Sequence, residues 1–186
     1  MALRIKSHWH NDELDRSLAD IGSALAFNAW RIAKDKAINL HGKDFVYEND
    51  EQRMAVIIEY LIFQVQVVDR TAHGLLEMEE SGRRSLIVSF VKNLAKHVQD
   101  NSIDLFGEGD HGANFIQRLN QRAGEYADYN FSDEGPSYPF YRHLGYEIQQ
   151  ILGIAGDNRW VIDQVMDLDG PEIAAKMMRS LTDLTE

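Results

Sequence analysis

The sequence predicts an all-α domain, built as a bundle or array of about six or seven helices. Apolar residues recur at spacings of three, four or seven through most of the chain, which is the period of an amphipathic helix. Only three prolines interrupt the 186 residues, so helices can run long between breaks. Hydrophobic residues make up 44% of the chain, and one core commonly serves up to about 200 residues. We therefore expect one domain over residues 1–186.

The first helix is expected to follow a short extended arm over residues 1–11. Asn11 or Asp12 is a suitable N-cap, because its side chain can accept a hydrogen bond from the first turn. An apolar stripe then runs to about Leu40, where His41 and Gly42 end the pattern. This spacing predicts a long amphipathic helix at the start of the domain.

The second helix is expected to run from Asn49 or Asp50 to about Leu76. It is apolar over most of its circumference, and no glycine or proline breaks it before His73. A helix of this kind belongs in the middle of a bundle. The sequence therefore predicts that helix 50–76 is the centre of the fold.

The remaining helices are marked by polar residues at their starts and by two glycine-rich interruptions. In the fourth helix the apolar stripe includes Arg122 or Ala123 between Leu119 and Tyr126. Gly170 and Pro171 are expected to break the chain, because proline cannot continue a hydrogen-bonded helix. The expected starts are Ser81, Asp110, Ser137, Asp157 and Pro171.

The net charge of −11 argues against a nucleic-acid binder, because such proteins need a basic surface to displace counterions. One local basic run is interpreted as a solvated helix face rather than as a phosphate track. It consists of Arg31, Lys34, Lys36, His41 and Lys43. The absence of cysteine excludes disulfides and thiolate chemistry.

No membrane-spanning segment is predicted. The most apolar stretch, residues 54–68, is interrupted by Glu59, Gln64 and Gln66, and it is shorter than the ~20 residues that cross a bilayer. The first six residues lack the apolar core of a secretory signal. We therefore expect a cytoplasmic protein.

The sequence predicts no metal site and no cofactor. A di-iron carboxylate bundle needs two Glu-x-x-His pairs on facing helices. One such pair is present, Glu108 and His111, and it lies in a glycine-rich loop. His8 and His10 could clamp a transition metal with a third ligand, but two exposed imidazoles are the simpler interpretation.

A set of polar residues, three from the second helix and two from the glycine-rich loop, has two interpretations. Either they face solvent, or they form an interior site of a helical-bundle enzyme that binds a small molecule or a metal. An interior site would make the protein an enzyme candidate. The sequence does not decide between the two interpretations. The set consists of Glu59, Asp69, His73, Glu108 and His111.

The segment from Tyr126 to Tyr146 is rich in aromatic residues. Tyrosine and arginine are the residues that anchor binding surfaces. The sequence therefore predicts a recognition patch formed by Tyr138, Tyr141, Arg142 and His143. It favours a protein that acts by association, as a homodimer or as an assembly or regulatory factor, and keeps a small-molecule ligand as the alternative.

Overall fold

The computed structural model describes residues 17–186, and this part of the chain is helical almost throughout. Its seven α-helical segments confirm the predicted all-α array. These are α1 (Leu18–His41), α2 (Asp50–Arg70), α3 (Glu80–Phe106), α4 (His111–Tyr126), α5 (Tyr138–Leu152), α6 (Val161–Gln164) and α7 (Gly170–Thr185).

The first described helix begins at Leu18, later than predicted. Ser17 has extended backbone, and its hydroxyl accepts a hydrogen bond from the amide of Asp20 at 3.1 Å. This is the geometry of an N-cap. The prediction of one helix that runs unbroken through Ser17 is therefore wrong. The predicted arm and the predicted caps Asn11 and Asp12 lie outside the described residues.

Helix α2 forms the centre of the fold, as predicted. It packs against α1, α3, α4, α5 and α7, and every side chain from residue 59 to residue 68 is buried. Each large apolar side chain buried in this way contributes roughly 1.5–3 kcal/mol. No helix in residues 17–186, α2 included, is long and apolar enough to span a bilayer.

Helix α1 lies unusually close to α3. A Cβ atom added to Gly22 would lie 2.7 Å from Cβ of Ser89, so the absence of a side chain permits this approach. The buried face of α1 is otherwise rich in alanine, with Ala26, Ala29 and Ala33 fully buried. Small residues on this face bring α1 near the neighbours that it packs against, α2 and α3.

The predicted break at Gly170 and Pro171 is wrong. A π turn over Val165–Asp169 joins α6 to α7, and the backbone of Gly170 is helical at φ −58° and ψ −54°. Pro171 lies in the first turn of α7, where its missing N–H leaves one carbonyl without its usual partner. The wider π turn accommodates this loss without interrupting the helix.

Two short elements differ from the predicted ones. A 3₁₀ turn over Gly156–Trp160 precedes α6, so Asp157 does not cap that helix. The loop before α5 contains a small antiparallel pair, β1 (Phe131–Ser132) and β2 (Gly135–Pro136). Gly135 has φ of +114°, a conformation that glycine adopts without the steric cost of a side chain.

Candidate functional site

Glu59 is a fully buried carboxylate on α2, with 0% of its surface exposed. A terminal nitrogen of Arg118 lies 2.6 Å from its Oε1, and Nε of Arg122 lies 3.3 Å from both of its oxygens. Both arginines belong to α4, one helical turn apart. They supply the opposite charge that a buried carboxylate requires. The solvent-edge interpretation of Glu59 is therefore wrong.

Arg122 connects Glu59 to two further carboxylates. Its Nη1 donates to Glu125 at 2.8 Å, and its Nη2 donates to Glu147 of α5. Burial by itself lowers the pKa of Arg122, but the hydrogen bond and charge of Glu59 outweigh this effect and raise the pKa. We call the resulting cluster the Glu59 network: Glu59, Arg118, Arg122, Glu125, His143 and Glu147.

The two outer carboxylates have pKa values shifted in opposite directions. Burial raises the pKa of Glu147 and outweighs the attraction of Arg122. Burial also acts on Glu125, but the hydrogen bond and charge of Arg122 prevail there and lower its pKa. The exposures agree with this difference, because the side chain of Glu147 is 13% exposed and that of Glu125 is 32% exposed.

His143 completes the network from α5. Its ring stacks edge-on against Tyr126, with the ring centroids 4.7 Å apart. Its Nε2 lies 3.1 Å from an oxygen of Glu125, yet the orientation does not form a hydrogen bond, and Nε2 has no hydrogen-bond partner within residues 17–186. The buried hydroxyl of Tyr126 also lacks one in this part of the chain.

One ligand atom each from Glu125, His143 and Glu147 lies within 4.8 Å of the others. Imidazole nitrogen and carboxylate oxygen are ligands that divalent transition metals accept. His143 and Glu147 are four residues apart on α5, so they project from the same side of that helix. The arrangement can hold a cation at the point where α4 meets α5.

The predicted recognition patch is divided by the structure. Tyr138 is 61% exposed and Arg142 is also exposed, whereas Tyr141 packs against Phe63, with ring centroids 6.0 Å apart. His143 belongs to the Glu59 network. The exposed stripe on α5 therefore continues to Tyr146, which is 48% exposed, instead of including Tyr141 and His143.

The other predicted polar residues do not join Glu59. Asp69 pairs with Arg83 at 3.2 Å, and His73 and Glu108 are exposed. Nε2 of His111 lies within hydrogen-bond distance of the carbonyl of Gly107, at 3.0 Å. These four residues therefore lie at helix ends and in a loop, outside the Glu59 network.

Sequence reasoning did not select four members of the network, Arg118, Arg122, Glu125 and Glu147. One signal was present, because Arg122 occupies a position in the apolar stripe of α4 between Leu119 and Tyr126. A charged residue in such a stripe needs a buried partner. The partner itself could not be chosen, since Glu59 is far away in sequence.

No family model matches the chain, and neither a curated protein nor a solved structure is significantly similar to it.

Proposed function

We propose that the protein binds a divalent transition-metal ion through Glu125, His143 and Glu147. The observation that supports this proposal is the convergence of one ligand atom from each residue within 4.8 Å. Three protein ligands leave coordination positions for water or a substrate, which is typical of catalytic metal sites rather than structural ones. The proposal follows the interior-site alternative, with different residues.

Nε2 of His143 has no hydrogen-bond partner within residues 17–186 and lies 3.1 Å from an oxygen of Glu125. A neutral imidazole nitrogen and a carboxylate oxygen both offer lone pairs. A metal ion bound between them would give both atoms a partner.

Arg122 competes for the same carboxylates, because its Nη1 contacts both oxygens of Glu125, but its Nη2 contacts only Oε2 of Glu147. Each carboxylate has two oxygens and about four lone-pair sites. Oε1 of Glu147 accepts no hydrogen bond from any of residues 17–186. Arg122 can therefore remain on Glu59 and on one oxygen of Glu147 while the other oxygen binds the metal.

The test is a titration of chelator-treated protein with Co²⁺ and Zn²⁺ by calorimetry and visible absorption. The reference protein carries His8→Gln and His10→Gln, because this His-x-His pair is a competing metal ligand in the sequence. We expect one equivalent of metal to bind, and His143→Gln or Glu147→Gln to weaken binding by at least about tenfold. His73→Gln, an exposed histidine, is the matched control. Absence of binding, or equal binding by the His143 variant, would refute the site.

Self-association remains a second candidate, supported by the exposed stripe of Tyr138, Arg142 and Tyr146 on α5. These residues are spaced four apart and lie on one side of the helix, and tyrosine and arginine are enriched at interface hot spots. A protein partner and a cytoplasmic location stay predictions.

If the stripe is a dimer interface, changing all three residues to serine converts a dimer to a monomer in analytical ultracentrifugation with helicity unchanged. The control is Trp160→Ser, at another exposed aromatic residue. A wild-type monomer, or an unchanged dimer in the triple variant, contradicts this candidate.

A further inference from the structure

A cleft of about 640 Å³ lies between α1 and α7, away from the Glu59 network. Its volume is within the range of small-molecule sites, roughly 300–1,000 Å³. Four basic side chains line it, Arg31 and Lys36 from α1 and Lys176 and Arg179 from α7. Three acidic side chains, Asp35, Glu172 and Asp183, also line it, so the lining has one more basic than acidic side chain on a chain whose net charge is −11.

Three of these cations are available to a ligand. Arg31, Lys176 and Arg179 form no ion pair with any residue in the range 17–186. Two carboxylates, Asp35 and Asp183, also line the cleft and have no ion-pair partner in that range. Apart from Lys36 and its partners, the lining thus has one more positive than negative group.

Lys36 forms the floor of the cleft. Its Nζ lies 3.0 Å from Asp169 and 2.5 Å from Glu172. The side chain of Asp169 is 5% exposed, whereas that of Glu172 is 56% exposed. Asp169 is thus the buried ion-pair partner of Lys36. Glu172 is its solvent-facing partner, and a ligand anion could take the place of the Glu172 carboxylate.

We infer that the cleft between α1 and α7 binds a small, multiply charged anion of the phosphate or polycarboxylate class. Arg31, Lys176 and Arg179 contact its charged groups. The two guanidinium groups bind such oxygens with two parallel hydrogen bonds, and the ammonium of Lys176 acts as a point charge. Where the ligand carries a hydroxyl group, as citrate does, Asp35 or Asp183 accepts a hydrogen bond from it. Glu172 competes with the anion for Lys36 and so limits the affinity.

The test uses inorganic pyrophosphate and citrate as the probes, titrated into the protein in the presence of a chelator at constant ionic strength. Binding is followed by amide chemical shifts and calorimetry. We expect saturable shifts confined to α1 and α7 with at least one of the two probes. A response to pyrophosphate alone identifies the phosphate class, and a response to citrate alone identifies the polycarboxylate class.

Variants with opposite expected signs make the assignment specific. The double variant Arg31→Gln and Arg179→Gln should weaken binding by at least about tenfold, whereas Glu172→Gln should tighten it several-fold. The matched control replaces two exposed basic residues of α3, Arg84→Gln and Lys92→Gln. Circular dichroism checks that each variant is folded. Lack of saturable binding of either probe, or equal weakening in the α3 control, overturns the inference. Failure here leaves metal binding at the Glu59 network unaffected, because the chelator removes metal from this assay.

Discussion

Two buried ionic clusters are attached to α2 at consecutive residues, and they differ in how completely their polar atoms are paired. Glu59 belongs to the Glu59 network, whereas Tyr60 points toward a second cluster with Lys36, Asp169 and Glu172. Neither Glu59 nor Tyr60 has any exposed surface. We call the second cluster the Lys36 network.

The Lys36 network is closed. Asp169 accepts hydrogen bonds from Lys36 at 3.0 Å, from Tyr60 at 2.9 Å and from Gln164 at 3.4 Å. Three donors around one buried carboxylate leave little of its hydrogen-bonding capacity unused. This completeness indicates that its buried part stabilises the fold by joining α1 and α2 to the π turn before α7.

The Glu59 network is open by comparison. Its three carboxylates face two guanidinium groups, which leaves a net charge of −1 when His143 is neutral. Within the described part of the chain, residues 17–186, His143 Nε2 and the Tyr126 hydroxyl lack hydrogen-bond partners. Since nearly all buried polar groups in folded proteins are paired, unpaired atoms beside excess negative charge indicate a place for a cation. The comparison teaches that incomplete pairing, rather than burial of charge, distinguishes a candidate site from a structural cluster.

The largest expected effect comes from removing the central carboxylate. Glu59→Ala leaves two guanidinium groups without their buried partner, and we expect a loss of about 3–5 kcal/mol in the free energy of unfolding. Urea denaturation measures it, and Glu51→Ala, at an exposed site on the same helix, should change stability by less than about 0.5 kcal/mol. A loss as small as that of the control would mean that Arg118 and Arg122 are stabilised without Glu59.

A matched pair of hydroxyl deletions separates the closed network from the open one. Tyr60→Phe removes a hydrogen bond to Asp169, and a bond to a charged group contributes about 1.5–3 kcal/mol. Tyr126→Phe removes a buried hydroxyl that has no hydrogen-bond partner among the residues that the structure describes, so stability should be unchanged or should increase. Both tyrosines are fully buried, which makes the comparison direct. Equal losses in urea denaturation would contradict the distinction between the two networks.

The smallest expected effect is a difference in pH dependence. The hydrogen bond and charge of Lys36 lower the pKa of Glu172 from 4.5. Its contribution to stability is therefore present above pH 4.5 and is lost as the pH falls through the lower folded-state pKa. Glu147 has a raised pKa, so its contribution is present below pH 4.5 and is lost as the pH rises through the folded-state pKa.

These opposite signs predict two different stability profiles. Glu172→Gln should flatten the loss of stability below pH 4.5, because the carboxylate responsible for part of it is gone. Glu147→Gln should become more stable relative to the unmodified protein as the pH rises above 4.5, because the neutral amide avoids the cost of a buried charge. Thermal unfolding from pH 3 to pH 7 measures both trends. If stability changed with pH in the same way in both variants, the opposite pKa shifts of Glu172 and Glu147 would be contradicted.

The fold class could be predicted from the sequence because its signals are local. The period of the apolar residues and the caps Asn49 and Ser137 depend on neighbours within a few positions. The central place of α2 followed from its apolar circumference. The π turn before Pro171 was not predictable in this way, since a proline after glycine is equally typical of a helix break.

The candidate site was less predictable because it depends on contacts between distant segments. The sequence predicted that Lys36 lies on a solvated helix face, yet it is only 8% exposed. Its partners, Asp169 and Glu172, lie 133 and 136 positions further along the chain, so no local pattern could indicate them. Glu59 and His143 were each singled out from the sequence, but the residues that connect them were not. Arg122 contacts Glu59 and Glu125, and Glu125 lies beside His143. No local pattern reports these contacts.

The π turn of Val165–Asp169 contains one residue more than a regular α-helical turn would need. Deleting a single residue there would restore a regular α-helix, and α7 would then rotate by about 100° relative to α6. Asp169 would leave Lys36 and Tyr60, and the cationic side of α7 would turn away from α1. The orientation of the last helix, and with it the shape of the cleft, thus depends on the length of this one turn.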